Sequence, residues 1–186
     1  EAEMCGNGIR CIGRLAHAVL DKPQFMIETL KGLYPMQEEQ PIYGTIPTYS
    51  VAINTVSLQP EDLPLHAKGA QIAAPLPKLS DDHTFTAISL TNPHAISMVE
   101  EVTRKDLERV GERANTDRSV FPQGVNVTFC SSVNEHAIFT GTYERGAGIT
   151  FSCGTGMSAA TIAACLNDKV PFNSWIDVYN QGGMVR

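Results

Sequence analysis

Cys5-Gly6-Asn7-Gly8 and Cys153-Gly154-Thr155-Gly156 repeat one pattern, C-G-x-G, and each opens an apolar segment with helical spacing. After the first, Ile9, Ile12, Ala16, Val19 and Leu20 recur at helical intervals from Gly8 to about Leu20, and Pro23 limits how far that helix runs. After the second, Gly156 to about Leu166 carries Ala159, Ala160, Ala163 and Ala164, small residues that strands can approach closely. With 15 Gly in 186 residues, a given Cys has Gly at both +1 and +3 with a chance of about 0.007. Five Cys should then give about 0.03 matches, against two present, so the doubling calls for a cause.

Physical chemistry supplies one. Thiolate is the reactive form of cysteine, and a helix start favours it through the helix dipole and unpaired N–H groups. The glycines let a ligand approach those donors closely. A carboxylate bound there would meet the N–H groups of both helices. The same donors would stabilise charge spreading onto it as a proton leaves the adjacent carbon. Two thiols facing one carbon from opposite sides can invert it: a thiolate removes the α-proton and a thiol delivers another to the opposite face. The competing structural explanation is two buried cysteines beside ordinary turn glycines.

The rest of the chain reads as mixed α and β. Phe25–Leu30 has the pattern of a strand, with Lys31-Gly32 as its turn. Ile42–Leu58 is rich in β-branched residues and predicts two strands or one bent strand, interrupted by Gly44 and Pro47. Gln59–Pro64 combines prolines with acidic residues and is the best linker, so residues 1–58 and 59–186 are expected as two domains. Further strands are expected at Ala70–Ala74, Phe85–Leu90 and Trp175–Tyr179. Val125–Cys130 and Ala137–Tyr143 should pair antiparallel around Asn134-Glu135, and Arg104–Ala114 should form a charged amphipathic helix. The predicted class is α+β: two similar domains, each wrapping strands around a central helix, with the site in the cleft between them.

Composition narrows the function. Net charge is −6, without the basic excess of a nucleic-acid binder. No apolar run is long enough to span a bilayer as a helix. Five cysteines without a dense framework favour free thiols in a reducing, cytoplasmic setting. No C-x-x-C, H-E-x-x-H or clustered Cys/His pair appears, so no metal is expected. Cys11, Cys130 and Cys165 lie outside C-G-x-G and read as packing residues. The sequence starts at Glu1 just before a motif, which reads as a fragment, expected to be inactive or barely active alone.

Met4-Cys5-Gly6-Asn7-Gly8-Ile9-Arg10-Cys11, Tyr143-Glu144-Arg145-Gly146-Ala147-Gly148 and Cys153-Gly154-Thr155-Gly156 resemble the motifs of the diaminopimelate epimerases, cofactor-independent two-cysteine racemases. Asn92-Pro93-His94 and Val125-Asn126-Val127 resemble internal motifs of the same family, in the same order across nearly the whole chain. The resemblance implies that Cys5 and Cys153 are the acid/base pair, His94 serving the first thiol and Glu144 the second. It further implies substrate contacts from Gly6, Asn7, Asn92, Asn126, Glu144, Arg145, Gly154 and Thr155. Such a set suits an amino acid with a polar distal end, since Arg145 can hold a carboxylate and Glu144, Asn92 and Asn126 an ammonium. The chain departs from the family at Ile149, where an acidic residue is more usual.

The implied function is epimerisation of LL-diaminopimelate to the meso form, in lysine and peptidoglycan-precursor biosynthesis. No cofactor is implied, the partner is a small amino acid, and a homodimer is one assembly open to the chain. Three other functions compete: a racemase of another amino acid such as histidine on the same fold, a non-catalytic binding protein, and a thiol-redox protein cycling a Cys5–Cys153 disulfide.

Overall fold

The computed structural model describes residues 5–30, 32–53 and 56–186, which fall in two compact units, Glu1–Asn54 and Thr55–Arg186. Lys31 of the expected turn lies outside the described residues.

In the first unit, helix α1 (Gly6–Leu20) starts directly after Cys5. It stops where Asp21 takes a left-handed φ of 52° and donates its N–H to the His17 carbonyl at 2.8 Å. Strands β1 (Gln24–Thr29), β2 (Gly32–Glu39) and β3 (Thr48–Val51) form one antiparallel sheet in that order. Phe25 pairs with Met36 and Ile27 with Tyr34, so the two-residue period puts one apolar face under Ile9. Gly13 lets Met36 lie against the helix, because a Cβ there would overlap the Met36 side chain.

Two expectations change here. Sequence reading assigns no element to Leu33–Glu39, since Pro35 and a polar run obscure the period. Yet β2 is the central strand. Pro35 is tolerated because its carbonyl, accepting from the Ala52 N–H at 3.3 Å, points to the side where β3 has already ended. A missing N–H on that side breaks no ladder bond. Among the described residues of Ile42–Leu58 there is one short strand, because Gly44 at φ 53° and a Tyr43–Ile46 turn consume the first half.

Within the described residues of this unit, the sheet covers one side of α1. Ile12 (57% exposed) and Val19 (76%) remain open to solvent, and so does Cys11, which corrects its reading as a packing residue. Helical rotation places Cys11 well away from Ile9, the residue that faces the sheet.

The second unit is one sheet with a helix on each face. The 3-10 turn Pro60–Asp62 leads to β4 (Ala74–Pro75), β5 (Thr84–Ser89), β6 (Pro93–Met98), α2 (Arg104–Thr116) and β7 (Asn126–Asn134). β8 (Ala137–Glu144), β9 (Gly148–Thr150), α3 (Gly154–Leu166), β10 (Asp177–Asn180) and β11 (Gly183–Val185) follow. The strand order is β11-β10-β8-β7-β6-β5-β4, with β9 beside β8, and the β6–β7 and β8–β10 pairs are parallel. Gln59–Pro64, expected as the linker, belongs to this unit: Leu63 is fully buried in its core and Pro60 is buried. The expected Ala70–Ala74 strand shrinks to Ala74–Pro75, because Ala73 at φ 46° turns the chain. Trp175 stays exposed, and the last expected strand begins at Asp177.

Alternation along the strands decides what lies where. Val127, Phe129 and Ala95 join Leu107, Val110 and Ala114 of α2 in one apolar cluster. Thr128 and Thr142 face the other way, against Gly156 at the start of α3. His94 and Asn126 pair in the β6–β7 register and share the parity of Thr128, while Glu144 shares that of Thr142, so all five belong to the α3 face. The four alanines of α3 are fully buried, and the helix packs on β5 through β8.

On the opposite face, the His83 ring lies tilted against Phe129 with centroids 4.8 Å apart, and its Nε2 meets Asp106 Oδ2 at 2.7 Å. Arg109 donates to the other carboxylate oxygen. Burial pushes the Asp106 carboxyl up, but the hydrogen bonds from Arg109 and His83 outweigh it and hold it below the usual carboxylate range. A depressed folded-state pKa gives stabilisation that is present above the unfolded value of about 3.9 and lost as pH falls through the folded one. Asp106→Asn is therefore expected to lower Tm near neutrality, with the difference from the unmodified chain shrinking below about pH 4. A gap in Tm that did not change with pH would assign the effect to packing instead.

No helix among the described residues is long and apolar enough to cross a membrane.

Candidate active site

Each C-G-x-G places its cysteine at the N-cap of a helix in extended backbone, Cys5 at φ −133° and Cys153 at φ −120°. The surroundings of the two thiols differ. Cys5 is exposed, and its Sγ accepts from the Gly8 N–H at 3.4 Å. Next to it, Asn7 Oδ1 accepts from Arg10 Nη2 at 2.6 Å. Cys153 is only 6% exposed, with its Sγ 3.7 Å from Thr155 Oγ1. Burial, and after it the Glu144 charge, push the Cys153 thiol up to about 12, while the Gly156 N–H and the Thr155 hydroxyl act in the opposite direction. At rest Cys153 is therefore a thiol, able to give a proton. All five cysteines are free.

Glu144 is aimed by a residue the sequence reading does not single out: Thr150 on β9 donates its hydroxyl to Glu144 Oε1 at 2.6 Å. The signal available was strand parity, since the turn after Glu144 folds β9 back onto β8. A cavity of about 90 Å³ borders Cys153, with Thr142, Thr150, Ser152 and Asn180 in its wall. Its volume is well below the roughly 300–1,000 Å³ of a typical ligand pocket.

His94 is fully buried, with Nε2 2.9 Å from Asn92 Oδ1 and Nδ1 without a partner among the described residues. Burial first, and the nearby Arg145 charge second, bring its pKa down to about 3, so the imidazole is neutral. Asn92 follows Thr91, which sits at φ 70° in a tight turn, and its Nδ2 donates to Thr155 Oγ1 at 3.4 Å. Asn126 Oδ1 accepts the Arg145 backbone N–H at 2.8 Å, and Arg145 Nη1 donates to the Gln123 carbonyl at 2.9 Å. A second residue missed by sequence reading, Asn115 at the end of α2, bonds both the N–H and the carbonyl of Val125, fixing where β7 starts. Within the second unit, His94, Asn92, Asn126, Glu144, Arg145, Thr155 and Cys153 are thus linked by hydrogen bonds, strand register or charge. Cys5, Gly6 and Asn7 stand together at the start of α1 in the first unit.

The two motifs also differ at their last glycine. A Cβ on Gly156 would stand 2.9 Å from Thr142 Oγ1 and 3.2 Å from Cys153 Sγ, whereas one on Gly8 would meet only Cys5, at 3.4 and 3.5 Å. Gly156→Ala is expected to cost roughly 1–3 kcal/mol by overpacking. Gly8→Ala should stay within about 1 kcal/mol, since a better helix former offsets the ordinary contact. Denaturant unfolding of the two variants checks this, and equal losses would contradict it.

The mixed sheet with its buried helix α3, together with the smaller helix-and-sheet unit, defines an α+β fold shared with solved proteins. The structure is similar to a PhzF-family phenazine biosynthesis protein from Bacillus anthracis, with TM-score 0.62 at 16% identity over 99% of this chain and 67% of that one. It is also similar to a hydroxyproline epimerase from Agrobacterium vitis, with TM-score 0.60 at 19% identity over 94% of this chain and 55% of that one. The chain belongs to the diaminopimelate epimerase family, whose model matches residues 86–186. Among curated relatives, the diaminopimelate epimerase of Clostridium acetobutylicum is 44% identical over the whole chain, and that of Lactiplantibacillus plantarum 36%. The chain spans 56% and 58% of the lengths of these two relatives.

Proposed function

We propose that this chain supplies the two-thiol centre of a cofactor-independent diaminopimelate epimerase, converting LL-diaminopimelate to the meso form. Cys5 as thiolate takes the α-proton, and Cys153 as thiol gives its proton to the opposite face of the same carbon. Charge is conserved: Cys5 ends as thiol and Cys153 as thiolate, and the reverse reaction exchanges their roles. The reading requires both thiols to reach one α-carbon, with its carboxylate on the N–H groups of Gly6, Asn7, Gly154 and Thr155. Glu144 serves the second thiol, and His94, through its unengaged Nδ1, the first. Asn92, Asn126, Glu144 and Arg145 receive the distal amino-acid end. Residues 1–58 and 59–186 would be the two halves of the enzyme, at work among free thiols in the cytoplasm.

The observation that carries this reading is the Cys153 thiol at the start of α3, pressed toward its protonated form by burial first and by Glu144 second. A packing cysteine needs no such carboxylate. The relatives' names support the choice of substrate.

The test is α-hydrogen exchange in D₂O, followed by mass spectrometry, with LL- and meso-diaminopimelate, histidine and glutamate. It is run on the chain itself and on a chimera in which the chain replaces the matching part of the Clostridium acetobutylicum relative. Deuterium at the α-carbon of diaminopimelate alone is expected from the chimera, with little or none from the chain by itself. Exchange into histidine instead would change the substrate, and no exchange by a folded, reduced chimera would sink the reading.

A further inference from the structure

His94, Asn92, Thr155 and Cys153 form a continuous polar chain, with links of 2.9, 3.4 and 3.7 Å. Its direction follows from what each group can offer. Neutral His94 carries one ring hydrogen. With that hydrogen on Nε2, it donates to Asn92 Oδ1 and leaves Nδ1 as a bare acceptor. The reverse orientation would turn the Asn92 amide nitrogen toward His94 and put the hydrogen on Nδ1, a buried donor with no partner among the described residues. Unpartnered buried donors are the rarer defect. The Asn92 amide is thereby set, and its Nδ2 donates to Thr155 Oγ1.

We infer that His94, besides its role toward the first thiol, acts on the second: by fixing the Asn92 amide it aims an N–H at the Thr155 oxygen, which orients that hydroxyl to donate its hydrogen to Cys153 Sγ. Asn92, Thr155 and His94 are then positioning residues for Cys153. The chain favours the thiolate that Cys153 becomes after giving up its proton, against the burial and the Glu144 charge that oppose it. The consequence for catalysis rests on the epimerase reading; the chain itself needs no substrate. Titratable groups on the strands packed against α3 are His94 on β6, Cys130 on β7, and Tyr143 and Glu144 on β8, with Arg145 just beyond. Glu144 bears on Cys153 and Arg145 on His94, so neither charge is altered by the variants below.

The test measures the alkylation rate of Cys153 by iodoacetamide on the reduced 186-residue chain, read by peptide mass spectrometry against pH, with the exposed Cys11 as internal standard. Thr155→Val keeps the shape and removes the hydroxyl. It is expected to slow Cys153 alkylation about tenfold at fixed pH and move its profile to higher pH, as loss of one hydrogen bond to a charged group should. Thr155→Ser restores the rate to within about twofold. His94→Phe acts in the same direction, His94→Gln retains the donor and the rate, and adding His94→Phe to Thr155→Val changes nothing further. An unchanged profile in Thr155→Val overturns the inference. So does a His94→Phe variant that matches the unmodified chain, or one whose effect adds in full to that of Thr155→Val. The epimerase reading fails separately, by absence of α-hydrogen exchange.

Discussion

Cys153→Ala is expected to reduce α-deuterium incorporation into diaminopimelate by roughly 10²–10⁴-fold in the chimera, the usual worth of a positioned acid or base. The reason is specific to this residue. Its thiol is the one that burial and Glu144 keep protonated, so it is the proton donor when the partner thiol is charged. Alanine removes the sulfur and leaves the helix start, its N–H groups and the Thr155 hydroxyl in place. Binding should therefore survive where chemistry does not, and the loss should fall on kcat far more than on KM. Cys165→Ala, which removes a thiol from the far end of the same helix, is the control and should keep its exchange rate. Equal activity of the Cys153 and Cys165 variants would make Cys153 a packing residue and overturn the two-thiol mechanism.

Phe129→Ala should cost about 3–5 kcal/mol of stability, a large share of the roughly 5–15 kcal/mol available to a typical domain. Phe129 is 1% exposed and lies in the cluster that joins the sheet to α2, under the His83 ring. Removing it leaves a cavity that strands on both sides restrain from closing. The loss falls on the face of the sheet opposite Cys153, so alkylation of Cys153 in the folded variant should be unchanged. Phe172→Ala is the comparison: that ring is 59% exposed, and its loss should stay within about 0.5 kcal/mol. Denaturant unfolding followed by far-ultraviolet circular dichroism measures both. Similar midpoints for the two variants would show that the sheet does not depend on this cluster.

Much of the fold could be read locally. Both cysteine-led helices, the charged helix (expected at Arg104–Ala114, found at Arg104–Thr116) and the hairpin (expected to turn at Asn134-Glu135, found turning one residue later) follow from residue spacing and turn chemistry. Local reading failed where a neighbour distant in sequence overruled the local signal. Pro35 sits in a central strand because the adjoining strand stops short of it. Ala73 leaves the extended region, and the N–H it presents there is taken by Thr86 Oγ1 at 3.1 Å. Pro93–Met98 forms a strand whose partner, Asn126–Asn134, lies beyond an entire helix. Thr150 gave no signal by itself, because its contact with Glu144 exists only once β9 folds back.

The sequence by itself determined that two thiols stand at two helix starts, each with a glycine turn, since backbone conformation over a few residues is a local matter. Tertiary structure alone decided that the two are unlike. Parallel pairing of β6 with β7 brings Asn126 beside His94, and packing brings Asn92 to Thr155, 63 residues away. The face of the sheet then buries Cys153 against Glu144 while Cys5 stays exposed. Protonation follows from desolvation and nearby charge, and both depend on strand register between segments remote in sequence. Identical C-G-x-G motifs can therefore hold thiols in different surroundings, one exposed and one buried.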